Sequence, residues 1–232
     1  MEINKQQYRD ANKFWTDYSS SLMLENRFNV DSSLLNIFDQ ILNEEDAYNF
    51  IESGTELFRA RIHNGDKRTK KEPYLIKEMG TPISPRPGRL NPEGIKYLYL
   101  AREERTCLYE VKPYRNDFIT IGRFEIQKEK LKILDLSKDL AISNFEIGAD
   151  LRIILNLQFS KPIPPMYENE YIPIQFFSEY VKNKKFDGIE YSSSLHSGGK
   201  NIALFNEENA KCMDTYTVQI EQMRVLYNRH LK

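Results

Sequence analysis

Apolar residues along this chain recur first at helical intervals and then in short alternating runs, and the change falls near residue 52. From Lys5 to Met23 a polar segment carries Tyr8, Trp15, Tyr18 and Leu22 on one helical face, which predicts an amphipathic helix. Asp31 has the place of an N-cap, ahead of Leu34, Leu35, Ile37, Phe38, Ile41 and Leu42 at helical spacing. Residues 1–52 are therefore expected to form a helical N-terminal extension, and residues 53–232 a second, catalytic domain. Leu57 to Ile62 reads as a strand, followed by a polar stretch from His63 to Lys71. Three prolines between Thr81 and Gly88 exclude helix and predict an extended surface loop. Asn91-Pro92-Glu93-Gly94 is a turn that feeds a strand from Ile95 to Ala101.

Further on, Glu103 to Val111 reads as a short helix, and Phe118 to Ile126 and Leu131 to Leu136 as strands. Helices are expected at Ala149–Leu157 and, past the Pro162/Pro164/Pro165 loop, from about Ile174 to Lys184. Strands follow at Ile189–Ser192, after the Asp187-Gly188 turn, then at Ile202–Phe205 and Thr215–Tyr227. Helices and strands mix without a regular βαβ repeat, so the fold class expected is α+β with a mixed sheet.

Composition narrows the function. Lys and Arg number 33 against 34 Asp and Glu, a net charge of −1, which argues against a broad footprint for nucleic acid or anionic lipid. No apolar run approaches the ~20 residues of a membrane span, and Met1-Glu2-Ile3-Asn4-Lys5 does not begin a signal sequence, so a cytoplasmic location is expected. Cys107 and Cys212 are far apart, and His63, His196 and His230 lack the spacing of metal ligands; no metal is expected. Familiar nucleotide and hydrolase motifs are missing: no GxGxxG follows a strand, Gly198-Gly199-Lys200-Asn201 is not a phosphate loop, and no GxSxG occurs.

What remains is an ordered set of motifs. Gly88-Arg89-Leu90-Asn91-Pro92-Glu93-Gly94, then Tyr99-Leu100-Ala101, then Thr106 and Glu110 spaced by four, resemble the first half of the RES domain. Tyr171 and Gln175, Phe186-Asp187-Gly188-Ile189, the serine run from Ser192, and Gly198-Gly199-Lys200-Asn201 resemble its second half. The resemblance covers about residues 55–206; Ser192 stands where many members have proline and Leu90 where alanine or tryptophan is frequent. It implies an ADP-ribosyltransferase-like mixed β core with flanking helices, and an enzyme that consumes NAD⁺ as substrate. It also implies a toxin of a toxin–antitoxin pair, with a protein antitoxin as partner. Carried over by motif, Arg59 and Arg89 match the family's arginines, Tyr99 its tyrosine, Glu110 its acid and Ser193 its serine.

The residue types suit that chemistry. Breaking the nicotinamide–ribose bond develops positive charge on the sugar, which a carboxylate such as Glu110 stabilises. A pyrophosphate suits the arginine fork, from Arg59 or Arg89. Tyr99 can stack on nicotinamide or adenine, and a Ser193 hydroxyl can orient the ribose or the carboxamide. Asn91, Tyr171 and Gln175 divide evenly between touching ligand and merely packing, Asn201 joins the binding set, and Tyr97 is read as structural. The Gly198-Gly199 pair is expected to let backbone approach the ligand.

The activity expected is NAD⁺ glycohydrolase or, with inorganic phosphate as acceptor, NAD⁺ phosphorylase. ADP-ribosyl transfer to a protein or nucleic acid is the rival from the same site, and a non-enzymatic interaction module the rival outside it. The N-terminal extension could shield the site, form a homodimer or bind the antitoxin, and its pattern suits all three.

Overall fold

The computed structural model describes residues 5–28, 30–138, 148–161, 163 and 165–222. Helix α1 (Lys5–Leu24) buries Ala11, Trp15, Tyr18 and Leu22, a spacing that keeps one face inward. Helix α2 (Ser32–Asn43) begins at the expected cap: the Asp31 carboxylate accepts from the Ser33 amide at 2.7 Å, and Phe38, Ile41 and Leu42 face inward.

The extension is not helical to its end. Tyr48–Glu52 is a strand, β1, paired antiparallel with β5 (Lys130–Asp135) from Tyr48 against Leu134 to Glu52 against Lys130. Five residues at a sheet edge, with only Ile51 fully buried, carry too little alternation to announce a strand.

The remaining strands are β2 (Glu56–Ile62), β3 (Leu98–Ala101), β4 (Phe118–Ile126), β6 (Gly188–Ser192), β7 (Lys200–Leu204) and β8 (Ala210–Gln219). They form one eight-stranded sheet ordered β1-β5-β6-β7-β3-β2-β4-β8. Among the described strands only β5 against β6 is parallel. With helices α3 (Glu104–Glu110), α4 (Gly148–Ser160) and α5 (Ile172–Asn183) the chain is α+β with a mixed sheet, as its patterning implies.

Of the expected strands, β3 and β8 depart furthest from their bounds. β3 starts at Leu98 and not Ile95, because the Ile95 amide bonds the Pro92 carbonyl and the Ile95 carbonyl takes the Asn91 side chain, which closes a turn. β8 starts at Ala210 and not Thr215, because Ala210, Lys211 and Cys212 pair with Ile126, Glu125 and Phe124 of β4 and bury alternate residues there; it ends at Gln219, and residues 223–227 of the expected strand lie outside the described residues. Pro162 and Pro164 of the expected loop also lie outside them.

Helices α1, α2, α4 and α5 pack into one apolar cluster with Leu134, Ile189 and Ala203 of the sheet. Phe38 is at its centre, edge-on to Tyr18 at 5.2 Å and to Phe177 at 4.8 Å between ring centroids. The Tyr18 hydroxyl donates to the Pro173 carbonyl at 2.9 Å, which satisfies it inside the core. Arg152 of α4, fully buried, donates to Glu44 and Asp46 and so fastens that helix to the connection between α2 and β1. A smaller cluster, Ala60, Ala101, Cys107, Ile119 and Ile121, seats α3 on β2, β3 and β4. That seat carries Glu110 to its place.

Candidate active site

A cavity of about 320 Å³ opens where β2, β3, α3, β6 and β7 meet. Arg59 and Ala60 come from β2, Tyr99 from β3, Cys107 and Glu110 from α3, Tyr191 from β6 and Asn201 from β7. Arg89 reaches it from the loop before β3, and Tyr171 from the 3-10 turn Pro165–Tyr171.

Glu110 is fixed by two donors on one oxygen. Ser193 Oγ donates to its Oε1 at 2.6 Å and Asn201 Nδ2 to the same atom at 2.7 Å. Both donors converge on the one oxygen, so the carboxylate serves them as an acceptor and is held in a single orientation. Ser193 is itself positioned: its Oγ accepts from the Leu195 and His196 amides, and its amide donates to the Gly199 carbonyl. Thr106 Oγ1 bonds His196 Nδ1 at 2.8 Å, tying that loop to α3. A Cβ at Gly199 would fall 2.5 Å from Thr106 Oγ1 and 2.7 Å from His196 Nδ1. This glycine thus allows the loop to approach the helix, where a close approach to ligand was expected.

The arginines differ in their engagement. Arg89 Nη1 donates to the Phe159 carbonyl at 2.5 Å and its guanidinium carbon lies 5.8 Å from the Tyr191 ring centroid. Arg59 Nη1 is out of solvent with no hydrogen-bond partner. Burial, joined by repulsion from Arg61, pushes the Arg59 guanidinium down to about 10. Burial also pushes the Tyr191 phenol up to about 12 and Tyr99 well above its ordinary value, so both hydroxyls stay protonated. The Cys107 thiol, raised to about 12 by burial, is a poor nucleophile.

Of the residues singled out in the sequence, Arg59, Arg89, Tyr99, Glu110, Tyr171 and Asn201 line the cavity, and Ser193 holds Glu110. Asn91 and Gln175 do not line it. The Asn91 amide donates to the carbonyls of Arg86, Pro92 and Ile95, and Gln175 Nε2 donates to those of Gly88 and Asn91. They shape the loop that aims Arg89. Tyr99 serves both sides: its hydroxyl accepts from the Leu90 amide at 3.0 Å and donates to Asn91 Oδ1 at 2.7 Å, while it lines the cavity. A Cβ at Gly88 would meet Asn91 Oδ1 at 2.4 Å and Tyr99 Oη at 3.0 Å, so this loop closes only over glycine. Tyr97 is buried, its hydroxyl on Glu179, in keeping with a structural role.

Apolar side chains such as Phe58 and Leu100 also line the cavity, but the hydroxyl-bearing lining residue that sequence reasoning missed is Tyr191. Its signal was parity: it precedes Ser193 by two along an extended segment, and side chains two apart share a face.

The fold and the cavity together define an α+β protein that presents a hydrogen-bonded carboxylate among arginines and tyrosines. The family model of the RES domain matches residues 57–228, and the chain belongs to that family. Among solved structures it is similar to the M. tuberculosis MbcT-MbcA toxin-antitoxin complex, with 13% identity over 82% of this chain and 93% of that one at a TM-score of 0.48. No curated protein matches it. Among the described residues no helix is long and apolar enough to cross a membrane.

Proposed function

We propose that the protein cleaves NAD⁺ between nicotinamide and ribose and acts as a toxin restrained by a protein antitoxin. The observation that carries the cleavage is Glu110, oriented by Ser193 and Asn201 inside a cavity lined by Arg59, Arg89 and three tyrosines. In the reaction the carbon–nitrogen bond breaks, its electron pair passes to the pyridinium nitrogen, and nicotinamide leaves neutral. Positive charge develops on the ribose, where a fixed carboxylate in a partly desolvated cavity lowers the barrier. Oxygen from water, which gives up a proton to solvent, or from inorganic phosphate then bonds to the sugar carbon. Arginine donors suit the pyrophosphate, and the tyrosine rings suit the flat base. Membership of the RES domain family supports the toxin reading, in line with what the sequence resemblance implies.

The test is nicotinamide release from NAD⁺ by purified protein, with and without phosphate, beside Glu110→Gln. Release that depends on Glu110 is expected, and a phosphate requirement would name the acceptor. No release in either condition would overturn hydrolysis and phosphorolysis and leave transfer to a macromolecule, read as covalent ADP-ribose on protein or nucleic acid.

A further inference from the structure

A second cavity, about 760 Å³, lies beside the first. The two share Arg59, Ala60 and Val111 as lining residues, so they are neighbours across β2 and the end of α3. The second is bordered by Arg61, Asn64, Tyr74, Lys77 and Glu78 and by the loop from Gly80 to Ile83.

Arg59 and Arg61 are two apart on a strand and project to the same face. Arg61 Nη2 donates to the Gly80 carbonyl at 2.6 Å, which steadies the guanidinium against the loop. Its Nε, like Arg59 Nη1, is out of solvent and without a partner. Buried charged donors left unpaired are costly, and two of like charge side by side repel as well. An anion bridging them removes both penalties. Among the described residues the carboxylate bordering this cavity, Glu78, is already engaged by the Leu75 amide at 2.7 Å and by Lys67 at 3.6 Å, and Glu207, whose charge also acts on Arg59, is held by the Thr81 amide and Lys96.

Space points the same way. The first cavity, at about 320 Å³, lies at the lower end of the roughly 300–1,000 Å³ of small-molecule sites, whereas a dinucleotide carries two nucleosides. We propose that Arg59 and Arg61 together grip the diphosphate, and that the second cavity takes the nucleoside at the non-reacting end. The nicotinamide half is then left to the cavity of Glu110. This assignment rests on the NAD⁺ reading above and adds Arg61 and Lys77 as residues that distinguish a dinucleotide from a mononucleotide.

The experiment is calorimetric titration of ADP, and separately of inorganic phosphate, into the wild type, Arg61→Ala, Lys77→Ala and Glu110→Gln. Alongside it, nicotinamide release is measured from NAD⁺ and from nicotinamide mononucleotide. ADP is expected to bind, about tenfold or more weakly in Arg61→Ala, as for loss of a hydrogen bond to a charged group. Lys77 is exposed, so its substitution leaves folding intact, and it should weaken ADP by roughly two- to fivefold as a rim charge. Glu110→Gln should leave ADP affinity unchanged. Arg61→Ala should raise KM for NAD⁺ with little change in kcat, and affect nicotinamide mononucleotide less, since it keeps one of the two phosphates and lacks the second nucleoside.

The proposal is overturned if ADP does not bind the wild type, or if Arg61→Ala and Lys77→Ala both bind it as tightly as the wild type. Phosphate that binds through Arg61 and is not displaced by ADP would make the cavity an acceptor site and also overturn it. Arg61-dependent ADP binding without nicotinamide release would keep the nucleotide site and remove the cleavage.

Discussion

The helical side of the molecule and the strand side around Glu110 use similar residues to opposite ends. Among the helices, aromatic rings fill space: Phe38 touches Tyr18 and Phe177 edge-on, and the hydroxyls of Tyr18 and Tyr180 beside it are bonded to the Pro173 carbonyl and to Asp39. Even a buried acid in the sheet, Glu190, is answered by Arg102 at 2.5 Å and Lys200 at 3.4 Å. Ser19 and Arg152 among the helices also hold a polar atom without a partner, but around the cavity Arg59 and Arg61 do so beside tyrosines that border open space. The first arrangement stabilises the fold. On the proposed reading the second leaves interactions for a ligand to complete, at a cost in stability that the first offsets.

That contrast can be broken or sharpened in order of effect. Phe38→Ala should lose about 3–5 kcal/mol of stability in a denaturant melt, as large-to-small core substitutions of phenylalanine do. Nicotinamide release per folded molecule should be unchanged; a lower specific rate would place the helical side within the site and end the division. Glu110→Gln should do the converse, lowering release by about 100- to 1,000-fold, the scale of losing one preorganised electrostatic group. Its thermal midpoint should stay level or rise, since functional groups are kept at a cost in stability.

Removing one hydroxyl from each region gives a finer comparison. Tyr18→Phe removes a buried hydrogen bond to the Pro173 carbonyl and should cost about 1 kcal/mol. Tyr171→Phe removes a weak contact, 3.4 Å to the Ile163 carbonyl, and should stay within about 0.5 kcal/mol.

The smallest effect belongs to Asp31. Hydrogen bonds to Ser33 hold its carboxyl below the usual aspartate range. A depressed native value means the cap stabilises above the unfolded value of ~3.9 and is lost as pH falls through the native one. Asp31→Ala should lower the thermal midpoint slightly at neutral pH and cease to differ from the wild type in strong acid.

The sequence foreshadowed these regions unequally. The faces of α1 and α2 and the Asp31 cap were legible because helix periodicity and capping act within a few residues. β1 was not, since a five-residue edge strand is determined by its partner β5, some eighty residues on. The convergence of Ser193 and Asn201 on Glu110 could be anticipated only through the ordered motifs, as composition says nothing of contacts 83 and 91 positions apart. Asn91 and Gln175 illustrate the remaining gap: a polar side chain beside a site motif can be spent entirely on backbone carbonyls, which only the folded loop reveals.

Those long separations bear on how the protein is made. A ribosome releases the chain from its N-terminus, so Glu110 emerges well before Ser193 and Asn201, 83 and 91 residues later. At synthesis rates of roughly 5–20 residues per second the delay is about 4–18 seconds. Throughout that interval the nascent chain carries its acid without the two donors that orient it. Whatever reaction the cavity performs, the translating ribosome is spared it until β7 has been delivered.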